Sequence, residues 1–291
     1  MSESTGDSWK QRMIRRLRWY KDVLHTRAQG GRPWHADLCE YYGVSPHQAF
    51  ELGFRRPGRR PELPSSPTTH SVTGQTFEEL WEGHTRDDPL SIQSFYSDVG
   101  AWFSFRQVVY HRRNSFRHIV SHIKGGDRIC EYGAGVGPMS YNAVKQNPDL
   151  PLAITITDVP SEHLRFGEWR LRKLIDDVGS PATLEVLEVK GDELPLTDQF
   201  DIVTILDVLE HVHNARDLVE HLCSHLKTGG HLWETFIVVQ PGHADLQEAQ
   251  AARESVYSYL SAHMEMVTGR PAAAPGGGGA RRWRKPDSTT G

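Results

Sequence analysis

The sequence is poor in cysteine and has no long apolar run. Its three cysteines, Cys39, Cys130 and Cys223, lie far apart, so they predict neither a disulfide framework nor a zinc site. No apolar stretch approaches the roughly 20 residues of a membrane-spanning helix. The N-terminus is polar and then basic, without the apolar segment of a secretory signal. We therefore expect a protein of the reducing cytoplasm that does not bind a membrane.

Charge of one sign is not in excess either. The 291-residue chain has a formal net charge of -4 and 24% charged residues, which is ordinary for a soluble protein. This balance gives no general reason to expect nucleic acid as a partner. With 37% hydrophobic residues, the chain can bury one large core, or one moderate domain and a smaller one.

The glycine-rich stretch at residues 128–137 lacks two features of phosphate-binding loops. Residues 128–137 read RICEYGAGVG, and Pro138 follows at a predicted helix start. Glycines at this spacing let a strand turn sharply into a helix and bring the backbone close to a ligand. A dinucleotide site would need a third glycine at position 138, and a P-loop would need a lysine, which is absent between Lys124 and Lys145. The stretch predicts a nucleotide-like cofactor, and both absences argue against a phosphate-binding loop.

From residue 128 onward, apolar strands alternate with helical segments. Strands are predicted at 128–131, 152–157, 183–189, 200–206 and 231–239, and helices at 139–146, 162–178, 215–226 and 244–263. This alternation indicates an α/β fold of the Rossmann-like type, a parallel-rich sheet with helices on both faces. Ligands of such sheets bind beyond the carboxyl ends of the strands. We expect that edge to bring together Gly133–Gly137, Asp158, Asp192 and residues 207–211.

The N-terminal region is predicted to be mainly helical. Residues 9–28 have helical apolar spacing with a basic opposite face. Residues 34–53 indicate helix, turn and helix, with Ser45 as N-cap and Pro46 at the first helical position. Residues 91–123 form a longer helical segment, rich in aromatics and broken at Gly100. We expect this region to form a lid, with three aromatic side chains near the mouth of the pocket: Tyr96, Trp102 and Phe103.

The turn of the helix-turn-helix is similar to that of DNA-binding units. Four arginines follow it, namely Arg55, Arg56, Arg59 and Arg60. A cofactor-sensing DNA-binding regulator, acting through residues 34–60, is therefore an alternative. A small helical cap is the interpretation we prefer, because two short helices joined by a glycine turn are a generic motif.

The whole series of motifs resembles the class I S-adenosylmethionine-dependent methyltransferases. The resemblance covers about residues 120–240 and rests on five blocks in the expected order: EYGAGVG at 131–137, Asp158, DELP at 192–195, FDIV at 200–203 with DVLEHV at 207–212, and LKTGG at 226–230. It implies an S-adenosylmethionine-dependent methyltransferase (EC 2.1.1.-). A non-catalytic partner subunit of such an enzyme is a further alternative.

The resemblance also implies roles for individual residues. Eight are implied to bind S-adenosyl-L-methionine: Glu131, Gly133, Gly135, Gly137, Asp158, Asp192, Glu193 and Asp207. A carboxylate at Asp158 suits the two neutral ribose hydroxyls and repels phosphate. The catalytic candidates are His211 as general base, Glu210 and Tyr96, with His213 as a further alternative. The aromatic lid favours a small-molecule acceptor. We expect no metal site, although His118 and His122 have the spacing of a ligand pair.

The chain divides into three predicted regions. Residues 1–90 form the helical cap, with a Pro/Gly/Ser-rich linker at 57–75. Residues 91–265 form the cofactor-binding domain. Residues 266–291 read as a disordered tail because they lack an alternating apolar run. The last strands of the usual sheet are therefore predicted to be missing, leaving three explanations: a short sheet, a sheet completed by a partner such as a second copy in a homodimer, or a truncated chain.

Overall fold

The computed structural model describes residues 34–54, 77–237, 245–269 and 280–287, together with the helical positions Met13, Leu17 and Lys21. Most of the predicted helix at 9–28 lies outside the described residues. The linker at 57–75 lies outside them as well. None of the described helices is both long and apolar enough to cross a membrane.

A seven-stranded sheet forms the centre of the molecule, in the order β3-β2-β1-β4-β5-β7-β6. The strands are β1 (Arg128–Tyr132), β2 (Ala153–Asp158), β3 (Thr183–Glu188), β4 (Phe200–Ile205), β5 (Leu226–Glu234), β6 (Glu265–Thr268) and β7 (Arg281–Arg284). The first five strands are parallel, and β7 pairs antiparallel with both β5 and β6. The predicted α/β sheet is confirmed. The fifth strand begins earlier than predicted, because the LKTGG turn is itself part of β5.

Helices cover both faces of the sheet. They are α1 (Ala36–Tyr42), α2 (Pro46–Phe54), α3 (Phe77–Glu82), α4 (Pro89–His111), α5 (Arg117–Val120), α6 (Pro138–Gln146), α7 (Glu162–Val178), α8 (Ala215–Ser224) and α9 (Gln247–His263). Alternate residues of β1 face opposite sides: Cys130 joins the cluster under α8 and α9, and Ile129 the cluster under α5, α6 and α7. This two-sided burial explains why the strands read as short apolar runs.

The N-terminal helices pack on the domain rather than standing apart from it. The predicted cap at Ser45 is confirmed, since the Gln48 N–H donates to Ser45 Oγ at 3.3 Å. The Tyr42 hydroxyl donates to Ser104 Oγ of α4 at 2.8 Å. Arg170 of α7 pairs with Asp37 of α1 at 3.1 Å. These contacts tie the helix-turn-helix to the two helices beside the glycine loop.

The prediction of missing C-terminal strands is wrong. β6 and β7 lie in or next to the segment 266–291, for which disorder was predicted, and they complete the sheet beside β5. β7 reads RRWR, so an arginine occupies an inward position. The Arg281 guanidinium is buried because it pairs with the carboxylate of Glu234, with Nε 2.5 Å from Oε1. A charge thus stands where apolar alternation would normally mark a strand.

Candidate functional site

Three glycines form the turn between β1 and α6. Gly133, Gly135 and Gly137 have φ angles of 67°, 54° and 62°, in the left-handed region that favours glycine. A Cβ atom at Gly133 would collide with Val208, and one at Gly135 would collide with the Gln107 amide. Two of the three predicted glycines are therefore fixed both by backbone conformation and by close packing.

Glu131 anchors this turn from below. Its carboxylate accepts hydrogen bonds from the N–H groups of Met139 at 3.0 Å and Ser140 at 2.8 Å, which are otherwise unpaired donors of the first turn of α6. Burial raises the pKa of Glu131 to about 7, against the opposing effect of the hydrogen bonds from Ser140 and Met139. The side chain is 5% exposed, so its place is under the loop.

Asp158 closes β2 beside the same loop. Its Oδ2 accepts the Gly135 N–H at 2.5 Å and its Oδ1 accepts the Val159 N–H at 2.7 Å. Burial raises the pKa of Asp158 to about 6, although both hydrogen bonds lower it. Each carboxylate oxygen keeps a second lone pair. Asp158 can therefore accept two further hydrogen bonds from a ligand.

Asp192 and Glu193 lie at one end of the cleft. Both are exposed, and they line a small pocket of about 80 Å³ together with Gly133, Asp158 and Ile92 of α4. The Gln93 Oε1 of α4 accepts the Gly191 N–H at 3.0 Å, which fixes the loop after β3 against the helix. The structure thus brings the predicted acids of β2 and β3 to one edge.

A larger cavity of about 760 Å³ extends from the glycine loop in the other direction. Predicted residues that line it are Glu131, Gly133, Asp158, Tyr96, Phe103, Asp207, Glu210 and His211. The expectation for Trp102 is wrong: its ring is buried among α1, α2 and α7, and Gly100 is the cause. Gly100 has φ 53° and ψ -146°, which kinks α4 and changes the direction of the residues that follow.

Asp207 follows β4 in the left-handed conformation, with φ 57°. This is uncommon for a residue with a side chain. The Thr235 hydroxyl holds it in two ways: it accepts the Asp207 N–H at 2.6 Å and donates to Asp207 Oδ1 at 2.7 Å. Thr235 directly follows β5, so neighbouring strand ends cooperate to form this turn.

Glu210, His211 and Asp245 meet on the floor of the cavity. Glu210 is 1% exposed, and burial raises its pKa to about 9, with the Asp207 and Asp245 carboxylates adding to the rise. The His211 Nδ1 lies 3.9 Å from Asp245 Oδ1. One ligand atom from each of the three lies within 4.8 Å of the others. This cluster could accept a proton or hold a divalent cation.

His118 and His122, which have the spacing of a metal-ligand pair, pack against a tryptophan and an arginine. The rings of His118 and His122 both contact Trp233, with centroids 5.6 and 5.8 Å away. The Arg282 guanidinium donates to His122 as well. A fixed positive charge at this position disfavours a cation, so these residues form a packed ring cluster.

Residues 130–232 match the family model described as a methyltransferase domain. This segment belongs to the class I methyltransferases. It contains the glycine turn, Asp158, the Asp192 loop and the Glu210–His211 pair.

Relatives of this segment include O-methyltransferases of ubiquinone biosynthesis. A ubiquinone biosynthesis O-methyltransferase of Photorhabdus laumondii is 29% identical over 155 residues, covering 50% of this chain and 60% of the relative. A mitochondrial enzyme of the same description from Schizosaccharomyces pombe is 29% identical, covering 44% and 41%. A solved magnesium protoporphyrin IX methyltransferase from Synechocystis has a TM-score of 0.44 at 17% identity, covering 64% and 84%. The chain thus spans less than two thirds of the length of these curated relatives.

Three residues of the candidate site were missed by sequence reasoning. Gln107 lies in the aromatic helix α4, and no local signal marks it. Asp245 precedes α9 and reaches the site only through the fold. Thr235 could have been found, because it follows the fifth strand at the edge where the other site residues were expected.

We expect Thr235→Val to weaken binding of S-adenosylhomocysteine by roughly tenfold, because Asp207 loses both hydrogen bonds that hold its left-handed turn. Thr235→Ser keeps the hydroxyl and should bind within about twofold of the wild type. Calorimetric titration of both variants measures the difference. Equal affinities for the valine and serine variants would show that the hydroxyl does not position Asp207.

Proposed function

We propose that this chain binds S-adenosyl-L-methionine and transfers its methyl group to a hydroxyl group of a small molecule. The observation that carries the proposal is the juxtaposition of the glycine turn and Asp158 with a cavity that leads to Glu210 and His211. The relatives support the choice of a hydroxyl acceptor, since their names describe O-methyltransferases.

The cleft suits a cofactor without phosphate. The ribose hydroxyls would bind the two free lone pairs of Asp158. The adenine would enter the small pocket beside Ile92, where Asp192 can accept from its amino group. The methionine portion would lie over the glycine turn. The absence of a P-loop lysine agrees with this assignment, because a sulfonium cofactor presents no phosphate to neutralise.

Methyl transfer to oxygen depends more on alignment of the reacting atoms than on general-base catalysis. Holding the acceptor oxygen in line with the methyl group and sulfur supplies up to about 7–11 kcal/mol of the barrier in favourable cases. A base that removes the hydroxyl proton adds about 10²–10⁴-fold. His211 would take that role, with Asp245 beside its Nδ1, and the buried Glu210 next to it would position the acceptor.

The remaining cavity wall favours an aromatic acceptor. Phe103, Tyr110 and Phe116 line it together with Tyr96. Such side chains offer flat apolar contact, and the few polar groups between them fix orientation. An acceptor with a hydroxyl on an aromatic ring matches both the wall and the floor of the cavity.

The proposal is tested with a labelled methyl donor and a panel of hydroxylated aromatic acceptors. We expect transfer by the wild type, and a fall of about 10²-fold or more in turnover for His211→Ala at saturating substrate. His118→Ala is the matched control, because that ring lies on Trp233 away from the cavity. Unchanged turnover of the His211 variant would contradict its role as base. Repeating the assay with a metal chelator shows whether the cluster of Glu210, His211 and Asp245 acts through a bound cation.

A further inference from the structure

Gln107 sits on the glycine turn in a defined orientation. It belongs to the second half of α4, beyond the Gly100 kink. Its Oε1 accepts the Val136 N–H at 3.0 Å, and its amide group fills the space that a Cβ at Gly135 would need. The amide is therefore held against the backbone of the loop at Gly135 and Val136. Gln107 also lines the large cavity.

The backbone donors of the turn that follow Gly133 are all occupied within the protein. Every N–H group from residue 134 to residue 140 already has an acceptor within the protein, and Pro138 has no N–H. The acceptors, in chain order, are Thr157 O, Asp158 Oδ2, Gln107 Oε1, Ala134 O and, for the last two donors, the Glu131 carboxylate. An anionic group placed over residues 134–140 would therefore take its donors from side chains.

The charged groups at the turn itself are acidic. Arg106 and Arg112 line the wider cavity, but the ionisable groups that hydrogen bond to the turn are the carboxyl groups of Glu131 and Asp158. A bare carboxylate next to them would be repelled and would also lose its hydration. The amide nitrogen of Gln107 is suitably placed to offset this, because anchoring of Oε1 on Val136 leaves Nε2 with two N–H donors. Nε2 makes no hydrogen bond within the part of the chain that the structure describes.

We propose that Gln107 recognises the methionine carboxylate of the cofactor, donating to it from Nε2 while Oε1 stays bound to the Val136 N–H. This assignment rests on the proposed function. It makes Gln107 the residue that distinguishes a ligand with an amino-acid portion from one without it. Specificity of this kind arises because the donor is matched to one group of the ligand.

The test compares two ligands and two variants by calorimetry. S-adenosylhomocysteine has the methionine carboxylate, and 5′-methylthioadenosine lacks it. Gln107→Glu keeps an oxygen for the Val136 N–H and replaces the Nε2 donor with a negatively charged carboxylate oxygen. The matched control is Gln93→Glu on the same helix, where Oε1 likewise accepts a backbone N–H, that of Gly191.

For Gln107→Glu we expect affinity for S-adenosylhomocysteine to fall about tenfold or more, with that for 5′-methylthioadenosine within about twofold of the wild type. Gln93→Glu should change both affinities by the same factor. A parallel loss of both ligands in the Gln107 variant, or no loss of either, would overturn the assignment. A wild-type protein that binds neither ligand would overturn the proposed function, and this assignment with it.

Discussion

Replacing Arg281 with alanine lowers the free energy of unfolding by about 3–5 kcal/mol, measured by urea denaturation. The reason is the carboxylate of Glu234, which is 0% exposed and receives hydrogen bonds from Arg281, Trp283 and Tyr257. Removing the guanidinium leaves that charge buried without its counterion. Glu234 is the last residue of β5 and Thr235 follows it directly. We therefore expect loss of the ion pair to disturb the position of Thr235 as well.

The control for this substitution lies on the same strand. Arg284 pairs with Glu265 at 3.2 Å and with Asp287 at 2.9 Å, but its side chain is 34% exposed. Arg284→Ala should therefore lower the free energy of unfolding far less than Arg281→Ala does. If both variants lost the same small amount, the buried pair would not be what holds β7 to the sheet.

The second large effect concerns the cofactor. Asp158→Ala should weaken binding of S-adenosylhomocysteine about 100-fold, because two hydrogen bonds from the ribose to a carboxylate are lost. Asp192→Ala removes an exposed acid at the adenine end, and its loss should be about tenfold or less. Titration calorimetry on both variants gives the ranking. A larger loss for Asp192 than for Asp158 would reverse the assigned roles.

The affinity of this site for S-adenosylhomocysteine should depend on pH. The pKa of Asp158 stands near 6 in the free protein, above its ordinary value of 3.8, so the carboxyl is largely protonated below that pH. The ribose hydroxyls need the carboxylate as acceptor. Affinity for S-adenosylhomocysteine should therefore rise as pH increases through 6 and then level off, with proton release on binding in acidic buffer. Asp158→Asn should abolish this step, and a step that survives in the variant would have another origin.

The parallel strands of the sheet are easier to predict from the sequence than β7. β1, β2 and β4 are short, mostly buried runs followed by chemically distinctive residues, so their positions and Asp158 are predictable from local pattern. The position of β7 is not predictable from local pattern, because its inward-facing Arg281 is stabilised by Glu234, 47 residues earlier. Gln107 is hidden for the same reason: its partner Val136 lies 29 residues away. Local patterns identify strands with apolar inward faces, whereas buried polar pairs become visible only in the fold.

Trp102 illustrates a second limit. An aromatic helix before the first strand suggested a ring at the pocket mouth. The kink at Gly100 instead directs Trp102 into the core, while Tyr96 and Phe103 line the cavity. Helical spacing predicts which residues share a face only while the helix is continuous.

The most direct measurement is a calorimetric titration of S-adenosylhomocysteine into the purified wild-type chain. The glycine turn, Asp158 and the cavity beyond them together predict one site per chain with a micromolar or tighter dissociation constant. Competition by S-adenosyl-L-methionine for the same site should follow. Absence of binding at millimolar ligand would contradict the assignment of this cleft as a cofactor site.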